Sequence, residues 1–205
     1  MKIGVLGTGE VGGGIGRKLA ALGHDVMLGS REPKKRARDF AGIKGLSLGT
    51  HAEASGHGEW VVNALPGDDA IETLRGCAID GKILIDIANY ESAVDGPIET
   101  TLGEAIQAEF PKAKVAKTLN CVSAHLMVDP RHLGGRHTVF VASNDEDAKR
   151  KVTGLLRDFG WESIVDLGDL TACRATEQLI PLWMRLYRDF GDAEFGIEVV
   201  RGGKG

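Results

Sequence analysis

The chain has 205 residues, 42% of them hydrophobic, enough to bury the core of one domain, with or without an appendage. A formal net charge of -4 argues against general nucleic-acid binding, and no apolar run reaches the length needed to cross a membrane. Cys77, Cys121 and Cys173 are odd in number and far apart, so they give neither a disulfide framework nor a cysteine zinc site. With no leader-like start, the expected compartment is a reducing cytoplasm.

Residues 2–6, KIGVL, are a short apolar run ahead of a glycine turn and predict a buried strand. Val11, Ile15, Leu19 and Leu22 then recur at helical spacing, with Gly23 as the stop. DVMLG at 25–29 predicts a second strand, so the opening reads as a βαβ unit. Pro33 suits the first turn of a basic helix over 33–41. Further strands are predicted at 45–48, 60–66, 82–89, 112–120 and 137–143, with helices near 68–76 and 98–109. Residues 143–160 predict a long helix. Ser143 and Glu146 match a capping box, Val152, Leu155, Leu156 and Phe159 share one face, and Gly160 ends it. Residues 161–168 predict the last strand, and RGGKG at 201–205 a loose tail. The alternation predicts an α/β, Rossmann-type, doubly wound and mostly parallel sheet. The boundary falls at 168, with a small C-terminal helical extension over 169–205.

Gly7-Thr8-Gly9-Glu10-Val11-Gly12 is a full GxGxxG placed after a strand and opening a helix. Glycine inside regular structure costs roughly 0.5–1 kcal/mol relative to alanine, so this density needs a cause. Gly7 permits the tight turn, Gly9 lets a pyrophosphate approach the backbone, and Gly12 lets helix and strand pack closely. The helix N-terminus offers free N–H groups to the phosphates. A dinucleotide site is therefore expected over residues 1–168.

The end of the second strand selects the dinucleotide. A site for NAD places Asp or Glu there to accept from the ribose 2′-OH. This chain has Gly29-Ser30-Arg31, with Lys34, Lys35 and Arg36 just beyond. Ser30, Arg31 and Lys35 suit a 2′-phosphate, which makes NADP the expected cofactor. Farther on, the loop Leu65-Pro66-Gly67 is placed to pass over the ribose and nicotinamide, with Ala88 and Asn89 as the adjacent wall. Asn120 stands at the crevice edge, within reach of a carboxamide or ring carbonyl. His51 and His57, in the polar stretch HAEASGHGE, read as surface residues. His125 reads as a polar residue at a helix start, with a ring contact as the rival reading. Cys121 has no evident activating partner. The segment 179–191, with Leu179, Trp183, Met184, Leu186 and Tyr187, reads as packing or subunit contact, with ligand contact as the alternative.

The opening GTGEVGGGIGRKLAALGHDVMLGSRE and the closing EQLIPLWMRLYRDFGDAEFGIEVV resemble the NADP oxidoreductases dependent on coenzyme F420, a deazaflavin. AKTLNCVSAHLM and the stretch to DLGDL are also similar to the cytosolic reductase domain of the six-transmembrane metalloreductases. The resemblance implies a Rossmann domain carrying NADP and a smaller C-terminal part that helps to hold a second ring system, coenzyme F420 or FMN/FAD. It also implies that Thr8, Gly9, Glu10 and Val11 touch the pyrophosphate region and that Ser30, Arg31 and Lys35 hold the 2′-phosphate, with Pro66 near the ribose and nicotinamide. The cofactors would carry the hydride chemistry, so no side-chain nucleophile is expected. The rival readings are an NADPH-dependent reductase of a small imine or carbonyl and a non-catalytic NADPH sensor. The expected partner is a small molecule, with no nucleic acid and no membrane, and a homodimer is possible.

Overall fold

Ile3, Val5 and Leu6 of the first strand are fully shielded from solvent, because this strand has neighbours on both edges and helices on both faces. It is β1 (Lys2–Leu6) of the computed structural model, which describes residues 1–91 and 96–202. The last three residues of the expected tail lie outside the described residues. Among the described residues, eight strands form one sheet, in the order β3-β2-β1-β4-β5-β6-β7-β8. The others are β2 (Asp25–Gly29), β3 (Leu46–Gly49), β4 (Trp60–Asn63), β5 (Ile83–Asp86), β6 (Lys114–Thr118), β7 (Thr138–Ser143) and β8 (Ser163–Asp166). All neighbouring strands run parallel except β6 and β7. The expected Rossmann-type sheet is present.

The helices are α1 (Glu10–Ala21), α2 (Pro33–Arg36), α3 (His51–His57), α4 (Gly67–Arg75), α5 (Leu102–Glu109), α6 (Ala124–Val128), α7 (Glu146–Phe159), α8 (Cys173–Glu177) and α9 (Ile180–Phe190). Two buried apolar clusters cover the two faces of the sheet. One joins Ile15 and Leu19 of α1 to Val152, Leu156 and Phe159 of α7. The other joins Ala54 of α3 to Leu74 of α4 and Ile106 of α5. No described helix is long and apolar enough to cross a membrane.

Several local expectations are corrected. The basic helix over 33–41 breaks after Arg36 into a 3-10 turn, Ala37–Phe40. The strand expected over 60–66 stops at Asn63, and Pro66 instead caps the start of α4. The capping box at Ser143 does not form, because Ser143 is still in β7 and its hydroxyl donates to the Val115 carbonyl at 2.6 Å. Asp145 caps α7 in its place, its carboxylate accepting from the Ala148 N–H at 2.8 Å. The polar stretch at 51–59 contains α3, opened by a reciprocal Thr50–Glu53 capping box.

After β8 the chain runs back across the sheet. Arg174 donates to the Ile98 and Glu99 carbonyls, each at 2.8 Å. The Trp183 indole N–H donates to Ser123 Oγ at 3.3 Å. The Thr138 N–H donates to the Ile197 carbonyl at 2.7 Å, so the terminal segment lies along the start of β7.

Candidate functional site

The chain leaves β1 for β2 on one side and reaches β4 on the other, so a crevice opens at the carboxyl ends of these strands. This cleft encloses ≈ 1740 Å³, its open mouth included. Its near wall is the glycine loop, Gly7 to Gly12, its far end is Gly29 to Glu32 with Lys35 and Arg36, and its other wall is Ala64, Leu65 and Pro66. Gly7 holds φ +116°, and a β-carbon there would lie 2.4 Å from the Ala64 carbonyl oxygen. A β-carbon on Gly12 would lie 2.3 Å from the Gly7 carbonyl oxygen, so helix and strand meet backbone to backbone. Gly9 is different: it has an ordinary extended conformation, and nothing lies within 4 Å of a β-carbon built on it.

The far end of the cleft is basic. Ser30 and Arg31 follow β2 directly, and Ser30 Oγ accepts from the Glu32 N–H at 3.2 Å, which fixes the turn. Lys35 pairs with Glu32 at 2.5 Å, both side chains well exposed. Arg36 reaches back across the cleft and donates to the Thr8 carbonyl at 2.7 Å, fastening α2 to the glycine loop. Sequence reasoning passed over Arg36, since only the break after α2 turns it inward. His51, expected on the surface, is half-buried at the head of α3 and lines this end. Burial first, and the Arg31 charge second, lower its pKa below 6.5. Glu10 is exposed in the first turn of α1, where its carboxylate faces the positive end of the helix dipole.

Behind the other wall lies a buried polar network. Asn63, at the end of β4, donates from its amide to Asp86 Oδ1 at 2.8 Å. Lys117 Nζ lies 2.8 Å from Asp86 Oδ2 and 3.0 Å from Glu177 Oε1, and it donates to the Ala88 carbonyl at 2.6 Å. Glu177 accepts from the Leu102 and Gly103 N–H groups at the start of α5. All three ionisable side chains are buried, with 0–1% of each exposed. Burial lowers the Lys117 pKa, but the Asp86 and Glu177 carboxylates outweigh it and hold the net value raised. The network ties the carboxyl ends of β4, β5 and β6 to α8.

Ala88, Asn89 and Asn120 adjoin the cleft without lining it. The Asn89 amide donates to the Asn120 carbonyl at 2.7 Å, and the Asn120 amide donates to Asn89 Oδ1 at 3.0 Å. The Gly67 N–H donates to the Asn89 carbonyl, so the loop carrying Leu65 and Pro66 rests on this pair. Leu119, between Thr118 and Asn120, has φ +60°; no other described residue except glycine has positive φ. Such backbone is costly for a branched side chain and swings Asn120 away from the line of β6.

Residues 2–90 match the family described as "NADP oxidoreductase coenzyme F420-dependent". The F420-dependent NADP reductase of Methanothermobacter marburgensis is 30% identical over 212 residues, covering 91% of this chain and 92% of that protein. The chain belongs to the F420-dependent NADP oxidoreductase family. A solved structure from Arthrobacter sp. FB24, described as a candidate F420-dependent NADP reductase, is 40% identical to this family member. It superposes with a TM-score of 0.92 over 98% of this chain and 100% of that one. Metalloreductase STEAP3 of Rattus norvegicus is 27% identical over 89% of this chain, which spans about 38% of the length of that protein.

In this member of the F420-dependent family, Cys121 is buried, and burial pushes its thiol up to about 11. It is therefore protonated at neutral pH and a poor nucleophile. Trp183 stacks on Tyr187 at 5.4 Å between ring centres and meets Phe195 at 5.5 Å. With Cys121 and Val122, Trp183 and Phe195 wall a small crevice beside β7, separate from the main cleft. The outer face of α9 leaves Leu182, Tyr187 and Phe190 exposed at 47, 44 and 61%.

Proposed function

We propose that the chain is an NADP(H)-dependent oxidoreductase passing a hydride between NADPH and a planar tricyclic ring, coenzyme F420 or a flavin. The observation that carries this reading is the pairing of a bare Gly9 with a carboxylate-free strand end at Ser30-Arg31, at opposite ends of one cleft. The open space over Gly9 fits a pyrophosphate, and Arg31 fits a 2′-phosphate bidentately. On this reading Gly7, Thr8, Gly9, Glu10, Val11 and Gly12 hold the pyrophosphate region. Ser30, Arg31 and Lys35 hold the 2′-phosphate, the last after exchanging Glu32 for the ligand. Leu65 and Pro66 bear on the ribose and nicotinamide, with Ala88, Asn89 and Asn120 behind them. The bound dinucleotide supplies the hydride at its nicotinamide ring. The protein aligns the two rings and excludes water, and no side chain forms a bond. The inert Cys121 thiol accords with that division of labour.

We also propose that residues 1–168 form the dinucleotide-binding unit and 169–205 a segment packed on it. The exposed apolar face of α9 is assigned to contact between two copies, and the proposed compartment is the cytoplasm.

The test is NADPH oxidation with a panel of acceptors: coenzyme F420, FMN, FAD, a ferric chelate and a cyclic imine. F420 or a flavin should consume NADPH. With F420, deuterium on the transferable nicotinamide position should be retained on the acceptor carbon of the deazaflavin, whereas a flavin nitrogen would exchange it with solvent. Consumption by the imine alone would make this a small-substrate reductase, and tight NADPH binding with no acceptor would make it a sensor.

A further inference from the structure

One cluster of side chains lies outside the lining of the cleft. His125 stands on α6, His132 ends the 3-10 turn Pro130–His132, and Glu194 follows α9. His125 Nε2 is 3.0 Å from Glu194 Oε1, and His132 Nε2 is 3.5 Å from Glu194 Oε2. The two imidazole rings stand at right angles, 5.6 Å between centres. One ligand atom from each residue lies within 4.8 Å of the other two.

The 3.0 Å approach has an unusual character. His125 Nε2 is shielded from solvent, yet no acceptor or donor meets it in hydrogen-bonding geometry, Glu194 included. An ordinary histidine–carboxylate pair would aim the N–H at the oxygen. Two atoms this close without that alignment match two ligands on one ion. Metal–ligand bonds of about 2.0–2.1 Å at tetrahedral angles set ligand atoms roughly 3.3 Å apart. The two measured separations, each to a different oxygen of the one carboxylate, bracket that value, and a small rotation of Glu194 would give one oxygen to both imidazoles.

We propose that His125, His132 and Glu194 form a binding site for Zn²⁺ or a similar borderline divalent cation. Two imidazoles and a carboxylate are a zinc donor set, whereas Mg²⁺ and Ca²⁺ take oxygen alone. Three protein ligands leave the fourth position to water. The ligands come from three separate stretches of chain, so the ion would join α6 and the turn before β7 to the terminal segment. Glu194 immediately precedes Phe195, which walls the crevice beside Cys121, and the Ile197 carbonyl accepts from Thr138. A bound cation would hold that segment down.

The experiment uses the untagged full chain after chelator treatment, titrated with Zn²⁺ by calorimetry and with Co²⁺ by visible absorption. One equivalent should bind, Co²⁺ should give the intense spectrum of a tetrahedral site, and Zn²⁺ should raise the melting temperature. His132→Ala and Glu194→Gln replace side chains that are 62% and 49% exposed, so both should fold. Each should weaken binding at least about tenfold and abolish the zinc-dependent rise in melting temperature. His57→Asn, at a histidine remote from the cluster, should leave both readouts unchanged. Absence of saturable binding, or a titration unaltered in either His132→Ala or Glu194→Gln, would show that Glu194 only shares its charge between two histidines and would overturn the proposal.

Discussion

Replacing Lys117 with methionine removes the ammonium group from a buried set that also contains two carboxylates. Asp86 keeps the Asn63 amide, and Glu177 keeps the Leu102 and Gly103 N–H groups. Three acceptors nevertheless lose a charged donor: Asp86 at 2.8 Å, Glu177 at 3.0 Å and the Ala88 carbonyl at 2.6 Å. Deleting one partner of a buried ion pair costs about 3–5 kcal/mol. The retained hydrogen bonds place this case near the lower bound, about 3 kcal/mol out of a typical total of about 5–15. With a urea m-value of about 2–3 kcal/mol/M for a chain of this size, the unfolding midpoint should fall by about 1–1.5 M. Adding Asp86→Asn to Lys117→Met should restore part of the loss, because the asparagine Oδ1 still accepts from the Asn63 amide and the Ala88 N–H and the residue carries no charge. The pH dependence follows from the raised Lys117 pKa. A pKa raised on folding gives stability that is complete below the ordinary 10.5 and is lost as the pH climbs through the folded value. The gap between wild type and variant should therefore be constant from neutral to mildly alkaline pH and close only above 10.5. A loss under about 1 kcal/mol, well below the buried-pair range, would refute the charge-balance reasoning, as would a double variant no more stable than Lys117→Met.

Arg31→Ala should weaken NADPH binding by roughly 1.5–3 kcal/mol while leaving NADH binding nearly unchanged, measured by fluorescence titration; equal losses for both cofactors would remove the 2′-phosphate role. Gly9→Val should leave a folded protein, at no more than a small N-cap cost, and abolish NADPH binding, whereas Gly12→Ala should lower the melting temperature more, since its new β-carbon would meet the Gly7 carbonyl at 2.3 Å. Cys121→Ser should change the hydride-transfer rate only modestly, because a thiol held at about 11 is not asked to react; loss of turnover with unchanged binding would return Cys121 to the mechanism. Replacing Leu182 and Phe190 by glutamate should shift the chain toward monomer in sedimentation, and an unchanged mass would free that face of its assigned role.

The strands were legible because each is an apolar run bounded by a turn signal, and a parallel sheet buried on both faces demands such runs. Their ends were less legible. Ala64 and Leu65 extend the apolar run past Asn63, but Asn63 turns its amide to Asp86 and its Oδ1 accepts from the Leu65 N–H at 3.4 Å, which ends β4 early. The helix α3 was missed because Ala54 is its only fully buried apolar side chain, too few for a periodic stripe; Thr50 with Glu53 was the available signal. The Lys117 network joins residues 31 positions apart, and then α8, so local pattern does not assemble it. Its trace in the sequence is a lysine and an aspartate inside otherwise apolar strands, where an unpaired charge is untenable. Likewise Arg36 belongs to a run of basic residues that look equivalent until α2 ends and turns one of them onto Thr8.

The opening glycine motif superimposes two kinds of constraint that the sequence cannot separate. Gly7 and Gly12 are accounted for by the chain itself, since a side chain at either would strike backbone atoms at 2.4 and 2.3 Å. A fold with no ligand would still require both. Gly9 has no such neighbour, and its dihedral angles suit any residue. Gly9 is the N-cap of α1, a position that favours glycine over alanine, but no atom of the chain crowds a side chain there. Gly14 is equally uncrowded, but it does not line the cleft, whereas Gly9 does. On the proposed reading, the open space over Gly9, facing Arg31 across the cleft, is where the pyrophosphate lies. Among Gly7, Gly9 and Gly12, Gly9 is therefore the one whose substitution should separate binding from folding.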